Sequence, residues 1–256
     1  MKILLLGEKG YLGSYLQEHL EVDTLNTREL YNNGKQYDYV INCIGKPNLE
    51  YCEVNREETD YSNRDVLLDI KQYYPNSKII NFSSYYVYDS LDLCTELSNV
   101  TYAYNYTRQK LEGEKLVTNG VSFRVGKLFG HLSVSKQNKL TEHILTSDEV
   151  VLDNITFNPT SLSQVLKIVK WELENNKLFG IFNLANEGTV THYNYGMFIN
   201  DLLGNTKRIT VVDRVNKQFS NYGRFTMSCN KLKNYVELTD WKADMVNYLK
   251  EYCEAK

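Results

Sequence analysis

Tyr106 and Lys110 stand four residues apart in the stretch YNYTRQKLEGEKLV, so a helix there turns the phenol and the ammonium the same way. A lysine beside a tyrosine favours the phenolate and lowers the phenol pKa, which suits a proton donor to a carbonyl. The chain has 21 tyrosines, so a Tyr-x-x-x-Lys match alone says little. Its place in a series gives it content. Gly7-x-x-Gly10-x-x-Gly13 comes first, Ser83-Ser84 closes a later apolar run, and the tyrosine–lysine pair follows.

These residues need a scaffold, and the hydrophobic pattern supplies one. Short apolar runs at 3–6, 39–43, 78–82 and 121–125 read as central parallel strands covered on both faces. Helical patterns at 12–20, about 58–74 and 104–117 lie between them. Strands alternating with helices predict an α/β fold with a doubly wound parallel sheet, the Rossmann arrangement. Beyond residue 131 the order is mixed. Helices are expected near 140–145, over 161–174, after a Thr191 cap and from Trp241. Strands are expected at 150–152, 180–184 and 209–212.

The glycine turn follows the first strand and opens a helix, a context that cradles a pyrophosphate at a helix N-terminus. Gly7, Lys9, Gly10, Tyr11, Leu12 and Gly13 are the candidates for holding it. A tight strand-to-helix turn without ligand is the alternative. The second strand should select the cofactor. Asp23 lies too early unless that strand is very short, whereas Asn26, Thr27 and Arg28 could hold a 2′-phosphate. This favours NADPH over NADH, although Arg28 could also cap a surface loop. Asn42, Cys43, Ile44 and Gly45 end the next strand and would pass beside the nicotinamide ribose. Asn63, a poor helix former, either bonds to backbone or water near the site or faces solvent. Ser84, with Tyr85 beside it, ends a strand at the edge where such sheets bind ligands; it could donate to a substrate oxygen or simply cap the strand.

Composition sets bounds. The 256 residues carry a net charge of −3 and no basic stripe, so nucleic acid is not an expected partner. Five scattered cysteines without CxxC spacing suit reduced thiols in a cytoplasmic setting. The apolar start MKILLL stops after six residues, too short for a signal-peptide core, and no segment approaches membrane-span length.

Taken in order, these motifs resemble the extended short-chain dehydrogenase/reductase family. They are the three glycines, the serine before Tyr86-Val87-Tyr88, Tyr106-x-x-x-Lys110 with LEGEK after it, and Arg124 in FRVGKLFG. Within that family, YTRQKLEGEKL and NPTSL look like the dTDP-4-dehydrorhamnose reductases. Residues 45–63 and 180–192 are similar to the plant bifunctional UDP-4-keto-6-deoxyglucose 3,5-epimerase/4-reductases. The resemblance implies an NADPH-dependent 4-reductase of a nucleotide-linked 4-keto-6-deoxyhexose, with 3,5-epimerisation, making UDP- or dTDP-L-rhamnose. Tyr106 would be the catalytic acid, Lys110 would bind the nicotinamide ribose, and Ser84 would orient the keto oxygen. Cys52 matches a cysteine tied to epimerisation, and His143 stands where that family has a lysine. Arg224 matches an arginine on the sugar-nucleotide phosphates, but Thr226 and Met227 replace two asparagines that follow it there.

Cys52 could equally be a buried small apolar residue, and His131 and His192 read as packing or cap residues. Residues 1–130 with about 155–182 are read as the NADP-binding domain, and about 131–154 with 183–256 as a smaller substrate-binding region. A homodimer is expected through the helices at 58–74 and 104–117, whose Tyr61, Tyr73, Tyr74 and Tyr104 could face a partner or the core. A reductase acting after a separate epimerase, and a non-catalytic nucleotide-binding regulatory subunit, are the competing readings.

Overall fold

The structure, a computed structural model, describes residues 1–32, 34–89, 93–131, 139–212 and 226–255. In chain order the first half holds β1 (Ile3–Leu6), α1 (Tyr11–His19), β2 (Asp23–Thr24), β3 (Tyr39–Asn42), α2 (Leu49–Val54), α3 (Arg56–Asp60), α4 (Val66–Tyr73), β4 (Lys78–Ser84), β5 (Leu93–Cys94), α5 (Asn105–Leu116) and β6 (Gly120–Val125). Then come β7 (Lys127–Phe129), α6 (Lys139–Thr146), β8 (Glu149–Asp153), β9 (Thr156–Phe157), β10 (Pro159–Ser161), α7 (Leu162–Asn175) and β11 (Gly180–Leu184). The last elements are β12 (Val190–Thr191), α8 (His192–Leu202), β13 (Arg208–Val212), β14 (Thr226–Met227), α9 (Asn230–Lys233) and α10 (Trp241–Glu254).

The chain divides into two compact units. The first comprises residues 1–89, 98–125 and 166–183; the second comprises 90–97, 126–165 and 184–256. A six-stranded sheet in the order β11-β6-β4-β3-β1-β2 organises the first. Its pairings β1–β2, β1–β3, β3–β4 and β4–β6 are parallel, so the fold is the predicted doubly wound α/β sheet. The four predicted central strands form because their residues are largely apolar and buried on both faces. Leu4, Leu6 and Val40 meet Val66, Leu67 and Ile70 of the covering helix, and Tyr74 just after it, in one core. Each such side chain contributes about 1.5–3 kcal/mol by leaving water.

The strand order reverses between β1 and β3, and open α/β sheets bind ligands outside the strand ends at such a reversal. The loops after those two strands carry Gly7 and Cys43–Gly45.

One predicted helix is not continuous. The segment predicted over 58–74 begins earlier, at Leu49, where Asn48 Oδ1 caps α2 by accepting from Tyr51 N at 2.8 Å. It then breaks at Asn55 and widens into a π-turn over Tyr61–Asp65 before α4. Such widened turns cluster at functional sites. Of the tyrosines expected at a partner or core, Tyr74 goes to the core. It packs edge-on against Tyr37 and donates to Leu30 O at 3.3 Å.

The second unit has its own core, in which Phe129, Ile144, Leu152, Phe157, Tyr195, Trp241 and Met245 pack together. Its sheets are small pairings of distant segments: β7 with β10, β9 with β12, β5 with β14, and β8 with β13.

Candidate active site

The site is built at the carboxyl ends of β1, β3 and β4 and at the start of α5, all within the first unit. After β1 the backbone turns through Gly7 at φ +84°, a conformation that favours glycine. A Cβ on Gly7 would lie 2.8 Å from Cys43 C and Ile44 N; one on Gly13 would lie 2.1 Å from Gly7 O. The two loops and the first turn of α1 therefore approach as closely as backbones can. Gly10 caps α1 without a side-chain hydrogen bond, and its first turn holds no acid. The dipole and the first N–H groups of that helix suit an anion. Lys9 is exposed, Tyr11 is half-buried and Leu12 packs inward.

The loop after β3 is clamped from both sides. Asn42 Oδ1 accepts from Ile44 N at 3.2 Å, and Asn63 Oδ1 accepts from Lys46 N at 2.8 Å. Gly45 lies exposed between them. Asn42 is fixed in turn by donating to Asn81 Oδ1 at 3.0 Å, and Asn81 donates to Ser122 Oγ at 3.2 Å. These three face one another in strand register. Asn63 thus bonds to backbone beside the site and does not face solvent.

β4 delivers the two serines to opposite tasks. Ser83 donates to Glu114 Oε1 at 2.6 Å, and Glu114 holds Arg124 through two bonds of 2.9 and 2.7 Å. This buried ion pair ties α5 to β4 and β6. Ser84 Oγ accepts from Tyr86 N at 3.2 Å and lies close enough to the Tyr106 phenol to act on its proton. Tyr85 is buried and stacks on Tyr86, with ring centroids 4.5 Å apart.

Glu53 fixes the start of α5: its carboxylate accepts from Asn105 N at 2.7 Å and Asn105 Nδ2 at 3.1 Å. A carboxylate there also suits the helix dipole. Tyr106 and Lys110 are both buried beneath the loops. Lys110 Nζ donates to Phe82 O at 3.0 Å and lies 6.0 Å from the Tyr106 ring centroid. Burial lowers its pKa to about 8, against the opposing pull of Glu114.

The expected lowering of the tyrosine pKa is not what the structure shows. Burial pushes the Tyr106 phenol well above its ordinary value, and the neighbouring Ser84 hydroxyl only partly offsets this. The desolvation of the phenolate outweighs the neighbouring ammonium.

Cys52 is buried in α2. Its thiol donates to Lys46 O at 3.2 Å and touches Asn63 Nδ2 at 3.6 Å, and burial raises its pKa. Asp23 sits in the two-residue strand β2, with its carboxylate bound to Lys35 Nζ at 2.8 Å and Tyr37 Oη at 2.9 Å. Asn26 N donates to Glu29 Oε2 at 3.1 Å, and Thr27 opens a 3-10 turn. The Arg28 side chain and all of Arg224 lie outside the described residues.

His143, on α6 of the second unit, is exposed and bonded to Ser147 Oγ at 3.0 Å. His192 bridges Asp153 Oδ1 at 2.7 Å and Lys127 Nζ at 2.8 Å. His131 is buried.

Reading the sequence placed Asn42 at the strand end without giving it partners, and assigned no role to Glu53, Gln109 or Glu114. The first had a usable signal, since asparagine is depleted in strands and here ends an apolar run. The others act through long-range partners with no local mark. Among the described residues no group of His, Cys, Asp or Glu could hold a metal ion, and no helix is long and apolar enough to cross a membrane.

A nicotinamide dinucleotide fits what is present. Gly7 and Gly13 leave no room for a Cβ against the neighbouring backbone, the helix N-terminus is uncapped by side chains, and among the described residues one of the three Lys110 donors is used in a hydrogen bond.

Comparison with known proteins agrees with this architecture. A dTDP-4-dehydrorhamnose reductase from Clostridium acetobutylicum superposes with a TM-score of 0.82 at 21% identity, covering 98% of this chain and 99% of that one. The dTDP-4-dehydrorhamnose reductase of Yersinia enterocolitica gives 0.82 at 20% identity, again covering 98% and 99%. That of Bacillus anthracis, in complex with NADP, gives 0.83 at 16% over the same shares. At these identities the likeness shows a shared fold. No curated protein sequence matches the chain. The RmlD substrate binding domain model matches residues 1–254, nearly the whole length, and the chain therefore belongs to the RmlD substrate binding domain family.

Proposed function

We propose that the protein reduces the C4 ketone of a nucleotide-linked 4-keto-6-deoxyhexose, with NADPH as hydride donor, in the synthesis of a rhamnose nucleotide. The observation that carries this reading is the placing of the Ser84 hydroxyl, at the end of β4, beside the buried Tyr106 phenol, with the Lys110 ammonium on the same helix held by one carbonyl of β4. Family membership and the reductases of the same fold support the substrate class.

When bound, the nicotinamide supplies hydride to C4. Ser84 Oγ holds the keto oxygen beside the Tyr106 hydroxyl. The buried phenol keeps its proton at neutral pH and releases it only as negative charge grows on that oxygen, so the ketone gains hydride at carbon and a proton at oxygen. Lys110, largely protonated below its pKa of about 8, stabilises the tyrosinate left behind. Its remaining donors would hold the nicotinamide ribose. Gly7, Gly10 and Gly13 would take the pyrophosphate, with Lys9, Tyr11 and Leu12 supplying backbone from the same turn. Cys43, Ile44 and Gly45 would line the ribose.

NADPH is favoured over NADH because Asp23, the acid nearest the end of β2, is bound to Lys35 and Tyr37. Asn26, Thr27 and Arg28 follow it. The Bacillus anthracis relative of this fold was solved with NADP. Tyr85 and Arg224 are proposed to contact the nucleotide sugar.

Reduction alone is the reading favoured here. The Cys52 thiol is satisfied by Lys46 O and made less acidic by burial, and His143 is bonded to Ser147. These surroundings suit packing more than proton transfer to C3 and C5. A homodimer is proposed through the face that exposes Tyr51, Val54, Tyr61 and Leu68; a monomeric mass at micromolar concentration in sedimentation would remove that part.

The test is NADPH oxidation in deuterated water with a nucleotide 4-keto-6-deoxyglucose, with and without a separate 3,5-epimerase. Consumption only after the epimerase acts is expected. Deuterium at C3 and C5 without added epimerase would restore the bifunctional reading, and no consumption in either case would refute the reductase.

A further inference from the structure

A cleft of about 520 Å³ lies in the second unit, and none of its lining residues takes part in the chemistry above. The paired β9 and β12, the first two turns of α8 and the start of α10 line it. One wall is aromatic. Trp241 and Phe198 meet edge to face with ring centroids 5.1 Å apart, and the Lys242 ammonium stands 5.9 and 5.7 Å from those two centroids. The rim is polar, with the hydroxyls of Thr156, Thr189 and Thr191 and the carboxamide of Asn194.

Trp241 has a donor to spare. It is 2% exposed, and an indole so deeply buried ordinarily finds an acceptor for its N–H. Its ring packs on Tyr195 and Phe198, and among the described residues nothing accepts from Nε1. Gly188, at φ +89°, keeps that edge of the ring clear: a Cβ there would lie 3.1 Å from Cδ1 and 3.3 Å from Nε1. Lys242 and Asn194 are in the same condition. Among the described residues they donate from the backbone alone, to Asp240 Oδ1 at 2.8 Å and Thr191 Oγ1 at 3.1 Å.

The polarity of the cleft is one-sided. An indole N–H and an ammonium can only donate. No acidic side chain among the described residues lines the cleft. Of the two acids beside it in sequence, Asp240 caps α10 and Glu187 holds Lys233 Nζ at 2.6 Å. α8 begins at the cleft with no acid in its first turn, so its dipole adds positive potential there. An occupant must therefore bring several acceptors, and a flat apolar body would lie on the Trp241–Phe198 wall.

We infer that this cleft is a second ligand site, which binds a small phosphate monoester through Trp241 Nε1, Lys242 Nζ and Asn194 Nδ2. The phosphate oxygens supply acceptors to donors from two helices, and charge strengthens each of those hydrogen bonds. The organic part of the ligand covers the aromatic wall. This site does not depend on the proposed reduction, since none of its residues touches the ketone or the dinucleotide in that reading.

The test is a titration of the 15N-labelled full chain with phenyl phosphate, followed at the Trp241 indole N–H by NMR. The chain has two tryptophans, and Trp171→Phe identifies the resonance. A saturable shift of the Trp241 signal is expected in the millimolar range or tighter. Lys242→Met, at an exposed position, should weaken binding about tenfold. Lys250→Met removes the same charge two turns further along α10 and should change the affinity less than about twofold. Phenyl β-glucoside carries the same ring without charge and should give no saturable shift over the same range.

An indole signal that does not move with phenyl phosphate would overturn the inference. So would equal weakening by Lys242→Met and Lys250→Met, which would mean attraction to net charge alone. Binding of the glucoside as tightly as the phosphate would also overturn it.

Discussion

Two lysines stand at opposite ends of one strand, and the protein treats them in opposite ways. Lys78 opens β4 and is buried against Glu172 Oε1 at 2.5 Å and Asn176 Oδ1 at 2.8 Å, with the Phe179 ring centroid 3.6 Å from its ammonium. Glu172 is itself wholly buried, and its other oxygen accepts from Lys177 N and Leu178 N. Both charges at that end have partners, and the cluster closes α7. Lys110, at the other end, has one carbonyl from β4 and no carboxylate within salt-bridge distance among the described residues. A buried cation without a counter-charge is costly in a fold that only needs to be stable. Under the proposed function, the carboxyl end of the sheet is where stability is given up for a ligand.

Breaking each lysine should separate the two roles. Lys110→Met is expected to lower kcat/KM by roughly 10²–10⁴, with thermal stability unchanged or raised; steady-state rates and a melting curve check both halves. Lys78→Met should do the reverse. Removing it leaves Glu172 buried and unpaired, at a cost of about 3–5 kcal/mol in denaturant unfolding, with turnover per folded molecule unaffected.

The pH dependence sharpens the comparison. The folded-state pKa of Lys110 lies at about 8, below its ordinary value of 10.5. Between those values the unfolded chain binds the proton and the folded chain does not, so stability rises with pH across that window. The gain relative to Lys110→Met should be on the order of 3 kcal/mol. Catalysis should run the other way, falling as pH passes about 8 and the ammonium is lost. The smallest effect expected is that of Cys52→Ser, which keeps a donor to Lys46 O and should change kcat less than about threefold.

Much of this was legible in the chain. The apolar runs around residues 3, 39, 78 and 121 read as buried strands, and Gly7, Gly10 and Gly13 announce a tight turn in which Gly7 and Gly13 leave no room for a Cβ. Ser84, Tyr106 and Lys110 stood out by residue type and order, and the structure brings them together. What could not be read depends on distant groups. The π-turn at Tyr61–Asp65 follows from how Asn63 reaches Lys46 and Gln109, not from local propensity. The raised pKa of Tyr106 follows from burial, whereas the neighbouring lysine alone suggested the opposite. In the second unit, pairings such as Leu93–Cys94 with Thr226–Met227 join two-residue strands across the sequence, and no local pattern encodes them.

The most direct test of the central claim compares wild type with Tyr106→Phe in a single turnover of NADPH against an epimerised nucleotide 4-keto-6-deoxyhexose, with NADPH binding measured in parallel. The account predicts a rate reduced at least about 100-fold at equal NADPH occupancy. An unchanged rate would show that Tyr106 does not deliver the proton and that the site at the end of β4 is not the place of reduction.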